Sequence, residues 1–330
     1  MRNGFFISLE HAFTSMTFAW FLIALTSAFV AALCFFPALE LERRKRAVVL
    51  LGLAAPIAFS PLWIPLEAPF VRLLAAMNAT ALLAKLYDLH VAASRALHPN
   101  FSTFVAFLPN WFSVVWRRLD AEPQPTLRQN LVLLGQALWK TVAAAVFLVW
   151  LFQKDWRGAP FVLEHCAKTV TFFLALIPGS ALAVTLWRLA GGRARDFMDA
   201  PLLAATPAEF WRRYNRPAQQ FFYEDVFKGV GAFRSPVRGT LVTFAVSALV
   251  HEYVFGVSLG RVQGYQTLFF LLQGLGVAAT VRLRPAGRRV WPWIGATWVF
   301  NLATSLLFFA SVNGVFPFYS RGLPKWLAGW

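Results

Sequence analysis

The stretch FAVSALVHEYVFGVSL, residues 244–259, decides the fold. With its flanks, from 239 to 260, it is apolar and long enough to cross the ~30 Å hydrocarbon layer of a bilayer as one helix. It nevertheless carries an imidazole and a carboxylate side by side, His251 and Glu252. At a rise of about 1.5 Å per residue, His251 lies roughly 20 Å from the level of Arg238 and roughly 15 Å from that of Arg261, deep in the layer. Ionisable groups at that depth are costly. They mark a reaction or transport path, or they are core groups bonded to a neighbouring helix.

The rest of the chain has the composition of a membrane protein. Of 330 residues, 58% are hydrophobic and only 14% charged, and the mean hydropathy is +0.56, far from the average soluble domain. Windows of spanning length fall near 17–37, 47–66, 69–87, 129–152, 161–187, 239–260, 264–281 and 290–312. They predict an all-α polytopic transmembrane helical bundle of about eight spans. A further stretch, FSTFVAFLPNWFSVVW at 101–116, is short and broken by Pro109 and Asn110, and reads as re-entrant or interfacial. The first run is too long for a signal-peptide core and is followed by ELERRKR (40–46), a stop-transfer flank, so it reads as a retained span. With no fixed-period repeat and no matching pair of interrupted spans, residues 1–330 are expected to form a single membrane-embedded domain.

A formal net charge of +16 would suggest a nucleic-acid partner in a soluble chain. With the amino terminus outside, however, most of the 31 lysines and arginines gather on one side of the membrane: the run 43–46, Lys85, Arg117, Arg118, the segment 188–238 and the loop 282–289. This is the positive-inside pattern, and no nucleic-acid partner is expected. Cys34 and Cys166 lie in separate apolar runs, so neither a disulfide framework nor a metal site is indicated. The Arg- and Ala-rich composition and compact length favour a bacterial inner membrane, with the endoplasmic reticulum the alternative for a eukaryotic chain. A homo-oligomer remains open.

The longest polar interruption, 188–238, is cytosolic in this topology. Thr206-Pro207-Ala208-Glu209 has the form of a capping box, which predicts a helix start. Behind it Phe210, Trp211, Tyr214, Ala218, Phe221 and Phe222 recur at helical spacing, opposite Arg212, Arg213, Arg216, Gln219 and Gln220. The pattern predicts an amphipathic helix at the cytosolic surface of the membrane, interrupted at Pro217. Its basic face suits anionic membrane lipid, or equally the phosphates of a nucleotide-bearing donor, since arginine forks match phosphate geometry.

On the helix 239–260, Phe244, Ser247, His251, Phe255 and Ser258 share one face, so the Ser247 hydroxyl is expected to fix the imidazole tautomer. Glu252 points about 100° away and is expected to be structural, with Lys140 a candidate partner. A neutral imidazole in a cavity can act as general base toward an alcohol. No GxSxG elbow, HExxH helix, Walker loop or CxxC pair accompanies it. GLGVAA at 274–279 imitates a dinucleotide fingerprint but lies inside an apolar span, where helix packing accounts for its glycines.

The order PLLAATPAEFWRRYNRP (201–217), FFYEDVF (221–227) and FAVSALVHEY (244–253), followed by FFLLQGLGVAAT (269–280) and LLFFASVNGVFPFY (306–319), resembles the membrane-bound O-acyltransferase family. The likeness is to its wax synthase-like branch and, around HEY, to the acyl-CoA:diacylglycerol and sterol acyltransferases. It covers roughly 185–319 and differs from the plant wax synthase pattern at Arg212, where Gly is common, and Tyr214, where Trp is common. The resemblance implies that His251 is catalytic and that Asn215 is its polar partner in the FW-x-R-x-N motif that also holds Trp211. It further implies acyl-CoA as co-substrate from the cytosol, a hydroxyl acceptor reaching His251 through the membrane, and a reaction tunnel between them. Arg212, Arg213 and Arg216 would then meet the phosphates of coenzyme A. The expected reaction is fatty acyl transfer to a lipophilic alcohol, giving a wax or related neutral ester, with no permanently bound cofactor. A diacylglycerol, sterol, glycan or secondary-metabolite hydroxyl is the alternative acceptor. A proton-coupled transporter, a lipid-binding membrane protein or an inactive scaffold are the alternatives of another class.

Overall fold

A computed structural model describes residues 15–121 and 123–328. In chain order its helices are α1 (Ser15–Leu33), α2 (Arg43–Phe59), α3 (Pro69–Ala93), α4 (Phe101–Phe107), α5 (Leu127–Gln153), α6 (Phe161–Leu189), α7 (Pro207–Arg213), α8 (Arg216–Phe221), α9 (Pro236–Leu259), α10 (Tyr265–Thr280), α11 (Val290–Val315) and α12 (Lys325–Ala328). Seven of them, α1, α2, α3, α5, α6, α9 and α11, are long and apolar enough to cross a membrane. The protein is an all-α, integral multi-pass membrane protein. The amino-terminal end whose side was inferred from charge, residues 1–14, lies outside the described residues.

The eighth expected span, 264–281, is α10, which has 16 residues and a length of about 24 Å, short of the ~30 Å layer. It packs along α9 and against α11. α9 also packs on α3, which carries α1 and α2 on its other flank, while α5 pairs with α6 and leaves most of its own surface exposed. The glycines of the 274–279 stretch serve packing, as their composition suggested: a Cβ on Gly274 would stand 2.7 Å from Cβ of Phe244 on α9.

Two cations counted as cytosolic charge are structural. The Lys85 ammonium is 1% exposed and donates to the carbonyls of Phe107 (2.7 Å), Leu108 (2.7 Å) and Asn110 (2.6 Å). These bonds gather the chain just after α4, and the Asn110 amide ties it to the Arg193 carbonyl at 2.7 Å. Stretch 101–116 is thus a seven-residue helix followed by irregular backbone, tolerated because protein groups satisfy it. Arg46, the last residue of the stop-transfer flank, is also buried and donates to the carbonyls of Leu39, Leu41 and His90 and to the Ser94 hydroxyl.

Candidate functional site

His251 lies on α9, half-buried. Its Nδ1 is 2.8 Å from the Ser247 carbonyl, one turn earlier. A carbonyl only accepts, so Nδ1 carries the proton and Nε2 keeps its lone pair. The Ser247 hydroxyl stands at 3.5 Å from the same nitrogen, so the backbone, rather than the hydroxyl the sequence pointed to, sets the tautomer. Nε2 has no hydrogen-bond partner among the described residues.

A second intramembrane imidazole, His165 on α6, escaped the sequence reading although it interrupts the apolar run 161–187. Its ring is saturated: Nε2 donates to the Leu302 carbonyl at 2.9 Å and Nδ1 accepts from the Tyr319 hydroxyl at 2.7 Å. Beside it the Lys168 ammonium bonds Glu164 at 2.6 Å and the Phe318 carbonyl at 2.7 Å, pinning the segment after α11 onto α6. His165 is therefore a packing group, whereas His251 has a basic nitrogen to spare.

Glu252 has no contact with Lys140, which lies exposed on α5 beside the Trp139 ring. Its carboxylate instead turns to the start of α10. Oε1 accepts from the amides of Gln263 (2.9 Å) and Gly264 (2.7 Å), and Oε2 from the amide and hydroxyl of Thr267, both at 3.0 Å. Tyr253, the third residue of the HEY run, donates to the Ala58 carbonyl of α2.

The predicted amphipathic helix is two short ones. Thr206 caps α7 by accepting from the Glu209 amide at 3.1 Å, as the capping-box spacing suggested, while the Glu209 carboxylate reaches the Ala205 amide at 2.8 Å. The helix stops at Tyr214 because Asn215 takes a left-handed conformation, φ 42°. Asn215 then caps α8, its Oδ1 accepting from the Ala218 amide at 3.3 Å, and its Nδ2 has no acceptor among the described residues. Arg213 is held by Glu209 at 2.6 Å, Arg212 is more exposed with Glu209 at 3.8 Å, and the Arg216 amide joins the chain to the Phe197 carbonyl at 2.9 Å. Burial of Tyr214 pushes its hydroxyl up to about 12.

Trp211 leaves this segment and enters the bundle. Its ring lies 5.5 Å from Phe244 and 5.7 Å from Phe270, and Nε1 donates to Gln273 at 2.8 Å. Phe270 in turn lies against His251, 4.0 Å between centroids with the rings tilted by 34°. One phenyl ring on α10 thus bridges the FW-x-R-x-N segment and the imidazole. Asn215 makes no hydrogen bond with His251. The FFYEDVF stretch is anchored elsewhere: Arg117 pairs with both Asp88 (2.6 Å) and Asp225, and Arg118 with Glu224 at 2.9 Å.

An apolar groove of about 520 Å³ opens where Trp111, Phe112 and Phe197 meet Phe172, Leu176 and Gly179 of α6; His251 is not part of its lining. Among the described residues no three His, Cys, Asp or Glu side chains converge as a metal site requires.

A model of the membrane-bound O-acyltransferase family matches residues 100–312. Over 79 residues the chain is also 32% identical to the probable sterol O-acyltransferase 2 of Schizosaccharomyces pombe, a match covering 24% of this chain and 17% of that protein.

Proposed function

The chain belongs to the membrane-bound O-acyltransferase family, and on that premise we propose that it moves a fatty acyl group from coenzyme A to the hydroxyl of a lipophilic alcohol, yielding a wax-type or related neutral ester. The observation that carries the reading is the imidazole of His251, whose Nδ1–H is committed to the Ser247 carbonyl while Nε2 has no partner among the described residues. That arrangement suits a general base.

In the proposed reaction the alcohol donates its proton to Nε2 of His251 as its oxygen attacks the thioester carbonyl. The tetrahedral oxyanion is met by Nδ2 of Asn215, a single amide contact that can stabilise a transition state by about 3 kcal/mol. Collapse breaks the carbon–sulfur bond, and the proton held on Nε2 passes to the departing thiolate. Ester and coenzyme A thiol leave, and the imidazole is neutral again. In this reading Arg212, Arg213 and Arg216 would meet the phosphates of a cytosolic donor, Arg212 being more exposed than Arg213. A tunnel joining that mouth to the alcohol's route through the membrane, within a single domain in a bacterial inner membrane, completes the reading.

The test compares wild type with His251→Ala, both expressed in a host that makes no neutral ester. Membranes receive labelled long-chain acyl-CoA and a panel of fatty alcohols, diacylglycerols and sterols, and new esters are identified by mass spectrometry. Ester from the wild type alone supports the reading and names the acceptor. Equal ester from both removes His251 as base, and no ester from folded wild type removes acyl transfer to these acceptors.

A further inference from the structure

α10 starts inside the protein. Glu252 lies seven residues before the end of α9, roughly 10 Å back along its axis, yet it bonds the amides of Gln263 and Gly264 just ahead of α10 and of Thr267 in its first turn. Amides at a helix start have no intrahelical partner, and in an apolar surrounding each must be satisfied by protein. The carboxylate does this with both oxygens, and its charge suits the positive end of the α10 dipole. Four donors saturate it, which leaves it no part as a proton carrier.

Successive contacts along α10 are spaced by single turns. Thr267 is held by Glu252; Phe270 lies against His251 and Trp211; Gln273 accepts from the Trp211 indole and donates to Thr304 at 2.7 Å and Asn301 at 3.3 Å. One turn short of the helix end, Gly276 is packed against Phe300, and Thr280 accepts from the Ala208 amide at the start of α7 at 3.2 Å. A slide or rotation of α10 therefore moves the ring on His251 and the anchor of the FW-x-R-x-N segment together.

We infer that Glu252, Phe270 and Gln273 are positioning residues, and that α10 is the rule that fixes how the Trp211–Asn215 segment stands relative to His251. What this alignment serves rests on the acyl-transfer reading above, but the alignment itself does not. Glu252 sets the axial position of the rule, Phe270 is the shared contact, and Gln273 holds the Trp211 end.

The experiment uses the purified full chain in lipid nanodiscs, as wild type, Glu252→Gln, Phe270→Ala and the double variant. The first readout needs no activity: the rate at which diethyl pyrocarbonate carbethoxylates His251, followed by peptide mass spectrometry. Each single variant is expected to raise that rate roughly threefold, in line with the loss of one aromatic contact, and the double variant to be no faster than the quicker single. The second readout is ester formation, with kcat lowered roughly tenfold or more by misplacement and the donor KM within about twofold of wild type. Should Phe270→Ala fail to fold, Phe270→Leu takes its place. Wild-type carbethoxylation rates, or effects that multiply in the double variant as independent sites do, overturn the inference. A wild type that makes no ester overturns the acyl-transfer reading alone, and the carbethoxylation rates still decide this one.

Discussion

The Nδ1–H of His251 is donated to the Ser247 carbonyl at 2.8 Å, and the Ser247 hydroxyl stands back at 3.5 Å. A main-chain acceptor holds the ring whatever side chain occupies position 247, so Ser247→Ala is expected to keep kcat within about threefold of wild type, the size of a weak hydrogen bond. His251→Gln, which places an amide where the base stands, is expected to abolish turnover. Ester assays on equal amounts of folded protein separate the two, and a loss of two orders of magnitude in Ser247→Ala would return the tautomer to the hydroxyl.

Asn215 combines a left-handed backbone with a helix cap and an amide that nothing else engages among the described residues. Substitutions divide these roles. Asn215→Asp keeps the capping oxygen and removes the donor, so it is expected to leave thermal stability near wild type and to lower kcat by roughly two orders of magnitude if the amide meets the oxyanion. Asn215→Gly keeps the backbone conformation and gives up only a few tenths of a kcal/mol of cap. Asn215→Ala meets both a strained backbone and a lost cap, and is expected to lower stability by about 1–2 kcal/mol as well. An active Asn215→Asp would reduce Asn215 to a turn residue.

One guanidinium, Arg117, serves two buried carboxylates, Asp88 and Asp225. Burial and then the charge of Asp88 push the Asp225 carboxyl up to about 7 from its ordinary 3.8, against the pull of Arg117, and its Oδ2 is buried with no hydrogen-bond partner among the described residues. A carboxyl raised in the folded state is still protonated there when the unfolded chain has already ionised. The folded state then binds more protons, so this group's contribution to stability is fullest below 3.8, falls as pH rises toward 7 and levels off above it. The melting temperature is expected to drop between pH 5 and pH 7.5, and Asp225→Asn to flatten that slope. A variant that melts with the wild-type slope removes Asp225 as its source.

The long spans were legible because crossing a bilayer demands an uninterrupted apolar run, and seven such runs are helices. The short α10 was not: its run reads as mostly apolar despite Gln266, Thr267 and Gln273, and the carboxylate of Glu252 shows where the helix begins. The same blindness applied to Arg46 and Lys85, since a count of charges by side treats every cation as solvated. His251 stood out by its depth, whereas His165, four residues and about 6 Å into α6, drew no notice, and only their hydrogen bonds tell a saturated ring from an open one. Phe270 and Gln273 gave no sign, being one phenylalanine among 34 and one amide in a packing stretch. Asn215 was found through its motif, while its left-handed turn, which splits the expected amphipathic helix in two, depends on a backbone choice that helical spacing cannot reveal.

Lys85 gives the sharpest test of how the irregular backbone after α4 is held. Its ammonium donates to three carbonyls within 107–110 and is 1% exposed. Lys85→Met fills nearly the same volume and supplies no donor, so the carbonyls of Phe107, Leu108 and Asn110 lose their shared partner. The Phe107 carbonyl keeps the Asn110 amide at 3.1 Å and the Asn110 carbonyl a long bond from the Ser113 amide at 3.5 Å, so the Leu108 carbonyl bears most of the loss, and a cost of roughly 1–3 kcal/mol is expected. Because the Asn110 amide carries the loop to the Arg193 carbonyl, the loosening should extend to 193–199, and proteolysis there should quicken while cleavage in the loop 260–264 stays at the wild-type rate. A Lys85→Met chain that melts and is cleaved as wild type would mean that the loop is held by its aromatic contacts, such as Phe107 on Trp116 at 5.5 Å, and that the ammonium is incidental.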